Sequence, residues 1–264
     1  MSPTLRSAAG SDVGRRRSMN QDSAATSSRL LAVADGMGGH AHGEVASAVA
    51  VAALLDLDAR LRDVDLGGVD LLGVLGEAIA DAAARLTELS EHNPELRGTG
   101  TTVVAFLVDG ARIGVAHIGD SRAYLLRDGE LHRLTRDHTL VQSLLDEGRI
   151  SQEEAATHPR RSWLIRTLQE GTPAEPDLFA LEGRIGDRYL ICSDGVTAVL
   201  DDAHIGEALA GIAEPADVVA QLIALANEGG GPDNITCVVA DLVEGVPEAD
   251  DVPVVVGAAQ HDET

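Results

Sequence analysis

The spacing of hydrophobic and polar positions changes several times along the chain, and each change marks an element. Residues 29–34 read as a strand that ends at Asp35. Residues 43–57 are alanine-rich and apolar on most sides, which predicts a well-buried helix. Leu72, Leu75, Ile79, Ala83 and Leu86 recur at helical spacing and predict a second, amphipathic helix. From Thr99 the period shortens. Residues 101–108 are rich in β-branched side chains, Asp109-Gly110 turns the chain, and 112–118 return. Residues 123–126 and 131–134 flank Asp128-Gly129 in the same way. Two-residue turns cannot join parallel strands, so these pairs are antiparallel. Residues 178–181 and 188–192 predict two further strands, and 234–243 the last one. Pro215 near a start, Val218, Leu222 and Leu225 on one face, and Gly229 past the end predict a long helix.

Three stretches break the pattern. Residues 1–10 read as a loose start or an edge strand. Residues 139–171 are polar and arginine-bearing, with short helical patterns at 140–147 and 152–156 around His158-Pro159. They read as a flap inserted into a single domain spanning 1–243. Residues 244–264 are acidic, contain two prolines and read as a disordered tail. Antiparallel strands with helices grouped before and after them predict an α+β fold of two packed sheets covered by helices.

Composition narrows the function. The chain has 264 residues, 44% of them hydrophobic, which suits one large domain. No apolar run reaches the roughly 18 residues of a membrane span. Arg15-Arg16-Arg17 is followed by polar residues rather than an apolar core, so no export signal is expected. The expected location is the cytoplasm, with no membrane segment in this chain and a monomeric state. The net charge of -23 argues against a nucleic-acid partner. All 20 basic residues are arginine, which excludes Schiff-base chemistry and a Walker-type phosphate loop. Cys192 and Cys237 sit singly in apolar strand patterns and read as small buried hydrophobes.

The candidate chemistry lies in four aspartates. Asp35, Asp120 and Asp194 each follow an apolar run, at 31–34, 113–118 and 189–192, and Asp233 precedes one at 235–240. Strands that deliver several carboxylates to one place create charges that repel one another unless a cation lies between them. That pattern points to an all-oxygen site for hard divalent metals, Mg²⁺ or Mn²⁺. Asp35 is the natural bridge, because Gly36 beside it exposes its carbonyl as a further oxygen ligand. Two cations sharing one water make hydroxide available near neutral pH, which hydrolysis of a phosphate monoester needs. An acidic chain must receive phosphate on local positive charge. Arg17, just before Asn20-Gln21-Asp22, can donate two parallel hydrogen bonds to it.

Seven motifs in order carry a resemblance: Arg17…Asn20-Gln21-Asp22, Asp35-Gly36-Met37-Gly38-Gly39-His40, Gly43-Glu44, Gly98-Thr99-Gly100-Thr101-Thr102, His117-Ile118-Gly119-Asp120-Ser121-Arg122, Ser193-Asp194-Gly195 and Gly231-Pro232-Asp233-Asn234. Over residues 10–243 the chain resembles the bacterial metal-dependent serine/threonine phosphatases of the type-2C family. The resemblance implies a four-layer α-β-β-α sandwich, two antiparallel sheets flanked by helix pairs, with a binuclear Mn²⁺/Mg²⁺ centre in the cleft. It implies that Asp35 bridges both metals, that Gly36 adds its carbonyl to one, and that Asp194 and Asp233 complete the other. Asp120 with Asp194 matches a third, weaker metal site. Arg17 matches the phosphate-binding arginine, Asp22 an acid that orients metal-bound water, and 139–171 a mobile flap.

The chain departs from the family at two places. Gln21 stands where some members carry a glutamate that acts through a metal-bound water. Met37 stands where some relatives place a general-acid histidine, which leaves His40 as the substitute candidate against a structural role at a helix start. His42 and His117 read as structural or exposed, and Trp163 as a packing anchor in the flap. The implied activity is hydrolysis of phosphoserine and phosphothreonine by direct attack of a metal-bridging water or hydroxide, without a phosphoenzyme. The implied partners are phosphorylated proteins, bacterial Ser/Thr kinases and their substrates. Two alternatives stay open. One is a non-catalytic phosphoprotein- or metal-binding module, which the full set of aspartates disfavours. The other is a phosphatase of a partner-switching anti-sigma antagonist pathway, against which the full-length flap argues.

Overall fold

The computed structural model describes residues 3–38, 42–245 and 252–261. The chain opens with three strands, β1 (Pro3–Asp12), β2 (Asp22–Thr26) and β3 (Leu30–Met37), then two helices, α1 (Gly43–Leu61) and α2 (Leu71–His92). A run of strands follows: β4 (Gly100–Thr101), β5 (Val103–Asp109), β6 (Arg112–Ile118), β7 (Arg122–Arg127) and β8 (Glu130–Arg133). Two short helices, α3 (Leu140–Asp146) and α4 (Gln152–Thr157), precede β9 (Leu168–Gln169), β10 (Asp177–Glu182) and β11 (Arg188–Cys192). The chain closes with α5 (Asp194–Thr197), α6 (Asp202–Gly211), α7 (Pro215–Glu228), β12 (Ile235–Glu244) and β13 (Val254–Gly257).

The strands form two antiparallel sheets. One runs β1-β12-β11-β7-β8, and the other runs β10-β6-β5-β3-β2-β13, with β4 bridging β3 and β9. Three apolar layers hold the stack together. On β3, Leu30, Ala32 and Ala34 face α1 and α2, whereas Leu31 and Val33 face the opposite sheet. On β12, Val238, Ala240 and Leu242 face between the sheets, whereas Ile235, Cys237 and Val239 lie under α6 and α7. Successive side chains on a strand point to opposite faces, and here both faces are covered. These strands therefore read as continuous apolar runs rather than as alternation. The result is the expected α-β-β-α sandwich. Phe106 and Tyr189 meet edge to face between the sheets, with ring centroids 5.7 Å apart. An edge-to-face pair suits the ring quadrupoles and adds to the area buried.

The local signals place most elements. Both predicted two-residue turns close hairpins, pairing Asp109 with Arg112 and Arg127 with Glu130. Asp128 takes the left-handed conformation with φ 53°, which a primed hairpin turn requires. The 140–147 and 152–156 patterns appear as α3 and α4. Asp70 accepts from the Leu72 amide at 3.2 Å and starts α2. Residues 3–10 resolve in favour of the edge strand, since β1 pairs with β12 along its full length, and residues 1 and 2 lie outside the described residues. Helix α6 had no sequence signal, because its alanines and glycines give no sharp apolar stripe.

The disordered tail needs correction. Val254-Val255-Val256 add β13 to the open edge of β2, in register from Val254↔Thr26 to Gly257↔Ser23. The Ala259 amide donates to Ser23 Oγ at 3.1 Å and holds the turn that follows. Three consecutive β-branched residues beside an unpaired strand edge outweigh the acidity of the preceding stretch.

Candidate active site

Both sheets deliver carboxylates to one end of the sandwich. Asp35 lies near the end of β3 and Asp22 begins β2, directly opposite it in register. Asp120 occupies the β6–β7 turn, Asp194 follows β11 at the start of α5, and Asp233 immediately precedes the loop into β12. Asp35, Gly36, Asp120, Asp194, Asp233 and Arg17 line one cavity of about 320 Å³. Gln21, Met37 and Asn234 share its lining, and Ser162 and Leu164 bring the 139–171 segment to it. Arg17 Nη2 donates to Asp233 Oδ2 at 2.7 Å. Asp22 lies behind this lining at 1% exposure and accepts from Ser193 Oγ at 2.8 Å.

Backbone and hydroxyl contacts fix these groups. Thr102 Oγ1 accepts from the Asp35 amide at 3.0 Å and shares a 2.7 Å bond with Ser121 Oγ. Thr101 Oγ1 donates to the Asp35 carbonyl at 2.9 Å. Asn234 Oδ1 accepts from the Gln21 amide at 2.9 Å, while its Nδ2 donates to the carbonyls of Val13 and Met19, both at 2.9 Å. One side chain thus ties the β1–β2 loop to the start of β12. Gly36 is required because a Cβ there would collide with the Gly43 carbonyl, where α1 begins against β3. Gly119, at φ 110°, would carry a Cβ only 2.5 Å from Thr102 Cγ2.

The electrostatics follow from burial and crowding. Burial pushes Asp120 up to about 7, and the neighbouring Asp194 adds to this. Burial likewise raises Asp194 to about 6, with Asp233 next in effect. Burial raises Asp22 to about 7 against the hydrogen bonds it accepts from Ser193 and Thr236. Asp35 is held well above the usual carboxylate range by burial, then by Asp22, Asp194, Asp120 and Asp233. Carboxylates that hold protons near neutrality for lack of counter-charge are a donor set that fits hard divalent cations. A larger cavity of about 650 Å³ lies beside Arg6, Arg188 and Asp241, but its charges are spent on one another.

The structure brings together Arg17, Asp35, Gly36, Asp120, Asp194 and Asp233, with Asp22 behind them. His40 lies outside the described residues. Gln21 Nε2 donates to Glu44 Oε2 at 3.1 Å. A glutamate at position 21 would meet Glu44 as a like charge. Arg122 is engaged by Asp137 through bonds of 3.1 and 2.8 Å and lines a neighbouring cavity with Asp120 and Asp194. Trp163, expected as a packing anchor, is 56% exposed, with the Arg160 guanidinium 4.3 Å over its ring. Cys192 and Cys237 are free and buried, as their apolar surroundings predicted. Residue reasoning gave no role to Thr101, Thr102, Ser193 or Asn234, although all four sit inside the recognised motifs.

The protein phosphatase 2C family model matches residues 9–227, and the chain belongs to that family. It is 50% identical over 259 residues to the serine/threonine protein phosphatase PstP of Mycobacterium tuberculosis, covering 98% of this chain and 49% of that protein. It therefore spans about half the length of that relative. The serine/threonine phosphatase stp of Listeria monocytogenes is 37% identical over 238 residues, covering 87% of this chain and 93% of that protein. Among solved structures, the M. tuberculosis phosphatase PstP/Ppp superposes with a TM-score of 0.86 at 52% identity, covering 91% of this chain and all of that one (100%). The catalytic domain of PstP in complex with two manganese ions superposes with a TM-score of 0.84 at 50% identity, covering 92% of this chain and 100% of that one.

Proposed function

We propose that this chain is a metal-dependent protein phosphatase acting on phosphoserine and phosphothreonine. The convergence of half-buried carboxylates on a cleft that also presents Arg17 carries this reading. Asp35, the Gly36 carbonyl, Asp194 and Asp233 would hold two cations, Mn²⁺ or Mg²⁺, and Asp120 with Asp194 a third. When bound, the cations neutralise the carboxylates and supply Lewis-acid activation of water and of the phosphoryl group.

The remaining chemistry belongs to the chain. Arg17 receives the phosphate oxygens on a guanidinium already aligned by Asp233, so little side-chain freedom is lost on binding. Asp22, clamped by Ser193, is the acid that would orient water at the cations from behind the cavity lining. Thr101 and Thr102 keep the Asp35 backbone fixed while the charge around it changes. His40 is the proposed source of the proton for the leaving serine or threonine oxygen. Cys192 and Cys237 take no part, since burial raises both thiols and neither lines the cleft.

The catalytic domain extends past 243 to take in β13, with 139–171 bordering the site as a flap. The substrates are phosphorylated proteins, and the opposing enzymes are Ser/Thr kinases. Similarity to the manganese-bound relative supports Mn²⁺ as a cofactor. No helix among the described residues is long and apolar enough to cross a membrane. We assign this chain to the cytoplasm, as a monomer. Phosphate release from a phosphothreonine peptide, with Mn²⁺ and with chelator, tests the activity. Release that needs the cation supports it, and release that persists in chelator refutes the metal-dependent reading.

A further inference from the structure

Outside the acidic cleft, His117, His138 and Asp177 offer ligand atoms that all lie within 4.8 Å of one another. The two imidazoles are nearly fully buried, at 1% and 3% exposure, with ring centroids 4.6 Å apart. Asp177, half-buried at the start of β10, stands opposite His117 in register on β6. The composition of the cluster resembles a transition-metal site, but its hydrogen bonds do not.

The proton positions are fixed by the partners. The Gly119 amide donates to His138 Nδ1 at 3.1 Å, so that nitrogen carries no proton. His138 Nε2 must then carry it and donates to Asp177 Oδ2 at 3.1 Å. His117 Nε2 faces the Ser121 carbonyl at 3.1 Å and must likewise be the protonated nitrogen. Burial lowers both histidines, His117 to about 4, in keeping with one proton on each ring. A metal on His138 Nε2 would demand a ring with no proton at all, or rupture of the Gly119 bond.

The cluster sits where the 139–171 segment leaves and rejoins the sandwich. A bridge between Thr139 and Leu164 closes the neck. The Leu140 amide donates to the Trp163 carbonyl, and the Ile165 amide to the His138 carbonyl, both at 2.8 Å. Asp177 touches both sides of that neck. Its Oδ2 accepts from His138, one residue before Thr139, and its Oδ1 accepts from Arg166 at 2.7 Å, two residues after Leu164. His138 is also bound to Gly119, next to Asp120, through its own amide at 2.8 Å. The segment so held carries Ser162 and Leu164 to the acidic cleft.

We propose that His138 and Asp177 are positioning residues that clasp both strands of the 139–171 neck and so fix Ser162 and Leu164 over the acidic cleft. The kinetic part of this proposal rests on the phosphatase reading; the structural part does not. The test uses Asp177→Ala, which removes both neck bonds from a half-exposed edge position, and Asp177→Asn, which can still accept one. Trp163, the chain's one tryptophan, lies at the neck and reports its motion directly. The expected result is lower Trp163 fluorescence anisotropy in Asp177→Ala than in wild type, with Asp177→Asn between them. Loss of a charge-assisted bond predicts a rise of about tenfold in KM for a phosphothreonine peptide, larger than any fall in kcat. Unchanged anisotropy and KM in Asp177→Ala overturn the proposal. So does one-to-one Zn²⁺ binding to wild type that Asp177→Ala abolishes, which would make the cluster a metal site. If wild type shows no turnover, the phosphatase reading fails and the anisotropy alone still decides the clasp.

Discussion

Asp22 and Asp35 are direct cross-strand partners on β2 and β3, Asp22 fully buried and Asp35 half-buried in the cleft wall. Like charges facing each other on adjacent strands destabilise a sheet. Here burial and like charge push both carboxyls toward protonation, a cost that a cation drawing on the Asp35 oxygens would remove.

That pairing gives a pH signature. Asp22, Asp120 and Asp194 all bind protons more tightly when folded than in the usual carboxylate range, at about 7, 7 and 6. Groups raised in this way contribute stability that is complete below about pH 4 and is lost as pH rises through the folded values. In chelator, the melting temperature should carry a destabilising trend between pH 5 and about 8 that saturating Mn²⁺ removes. The gap between the two melting curves should therefore widen with pH. A gap that stays constant or narrows would contradict the shared-charge account.

Arg17→Ala should raise KM for a phosphothreonine peptide by about ten- to a hundredfold, the worth of a charge-assisted phosphate contact. Cation binding, followed by calorimetry, should persist because Arg17 is not a ligand. Arg17→Lys should recover only part of the loss, since an ammonium cannot donate two parallel bonds.

Ser193 Oγ donates to Asp22 and accepts from the Thr236 amide at 3.1 Å. Ser193→Ala leaves both buried partners short of a bond and should cost about 1–3 kcal/mol in denaturant unfolding. Turnover should fall as well, because Asp22 is then no longer held in one orientation. A variant with wild-type stability would mean that another donor replaces the hydroxyl.

Far from the cleft, Asp187 accepts from Arg127 Nε at 2.7 Å, the Arg184 amide at 2.7 Å and Tyr189 Oη at 2.9 Å. Although burial pulls it up, these donors hold it below the usual carboxylate range. Its stabilisation is present above that range and lost as pH falls through the folded value. Asp187→Ala should cost about 3 kcal/mol at neutral pH while leaving peptide turnover intact below the melting transition. Loss of turnover in folded Asp187→Ala would show coupling to the cleft that the structure does not suggest.

Much of this fold could be read in the sequence because both faces of the central strands are covered, so the apolar runs are long and end at the chemistry. Asp35, Asp120 and Asp194 were visible for that reason. Asp-Gly turns at 109–110 and 128–129 set antiparallel pairing by local sterics alone. What stayed hidden depends on partners distant in sequence. Strand β13 forms because β2 leaves an edge open, which no local pattern records. Thr102, Ser193 and Asn234 are ordinary polar residues until the sheets bring Asp35, Asp22 and Gln21 to them. The exposure of Trp163 also escaped, because its stacking under Arg160 is a property of the folded turn.

Asp194 lines the cleft and pushes the neighbouring Asp35 and Asp120 toward protonation, so it is central to the charge of the site. The decisive measurement pairs Mn²⁺ calorimetry with phosphate release on the same samples of wild type and Asp194→Ala. Wild type should bind at least two ions and release phosphate only when they are bound. Asp194→Ala should lose at least one ion and about 10³-fold or more of the turnover. Turnover near the wild-type level in Asp194→Ala, or in metal-free wild type, would contradict the assignment of the acidic cleft as the catalytic metal centre.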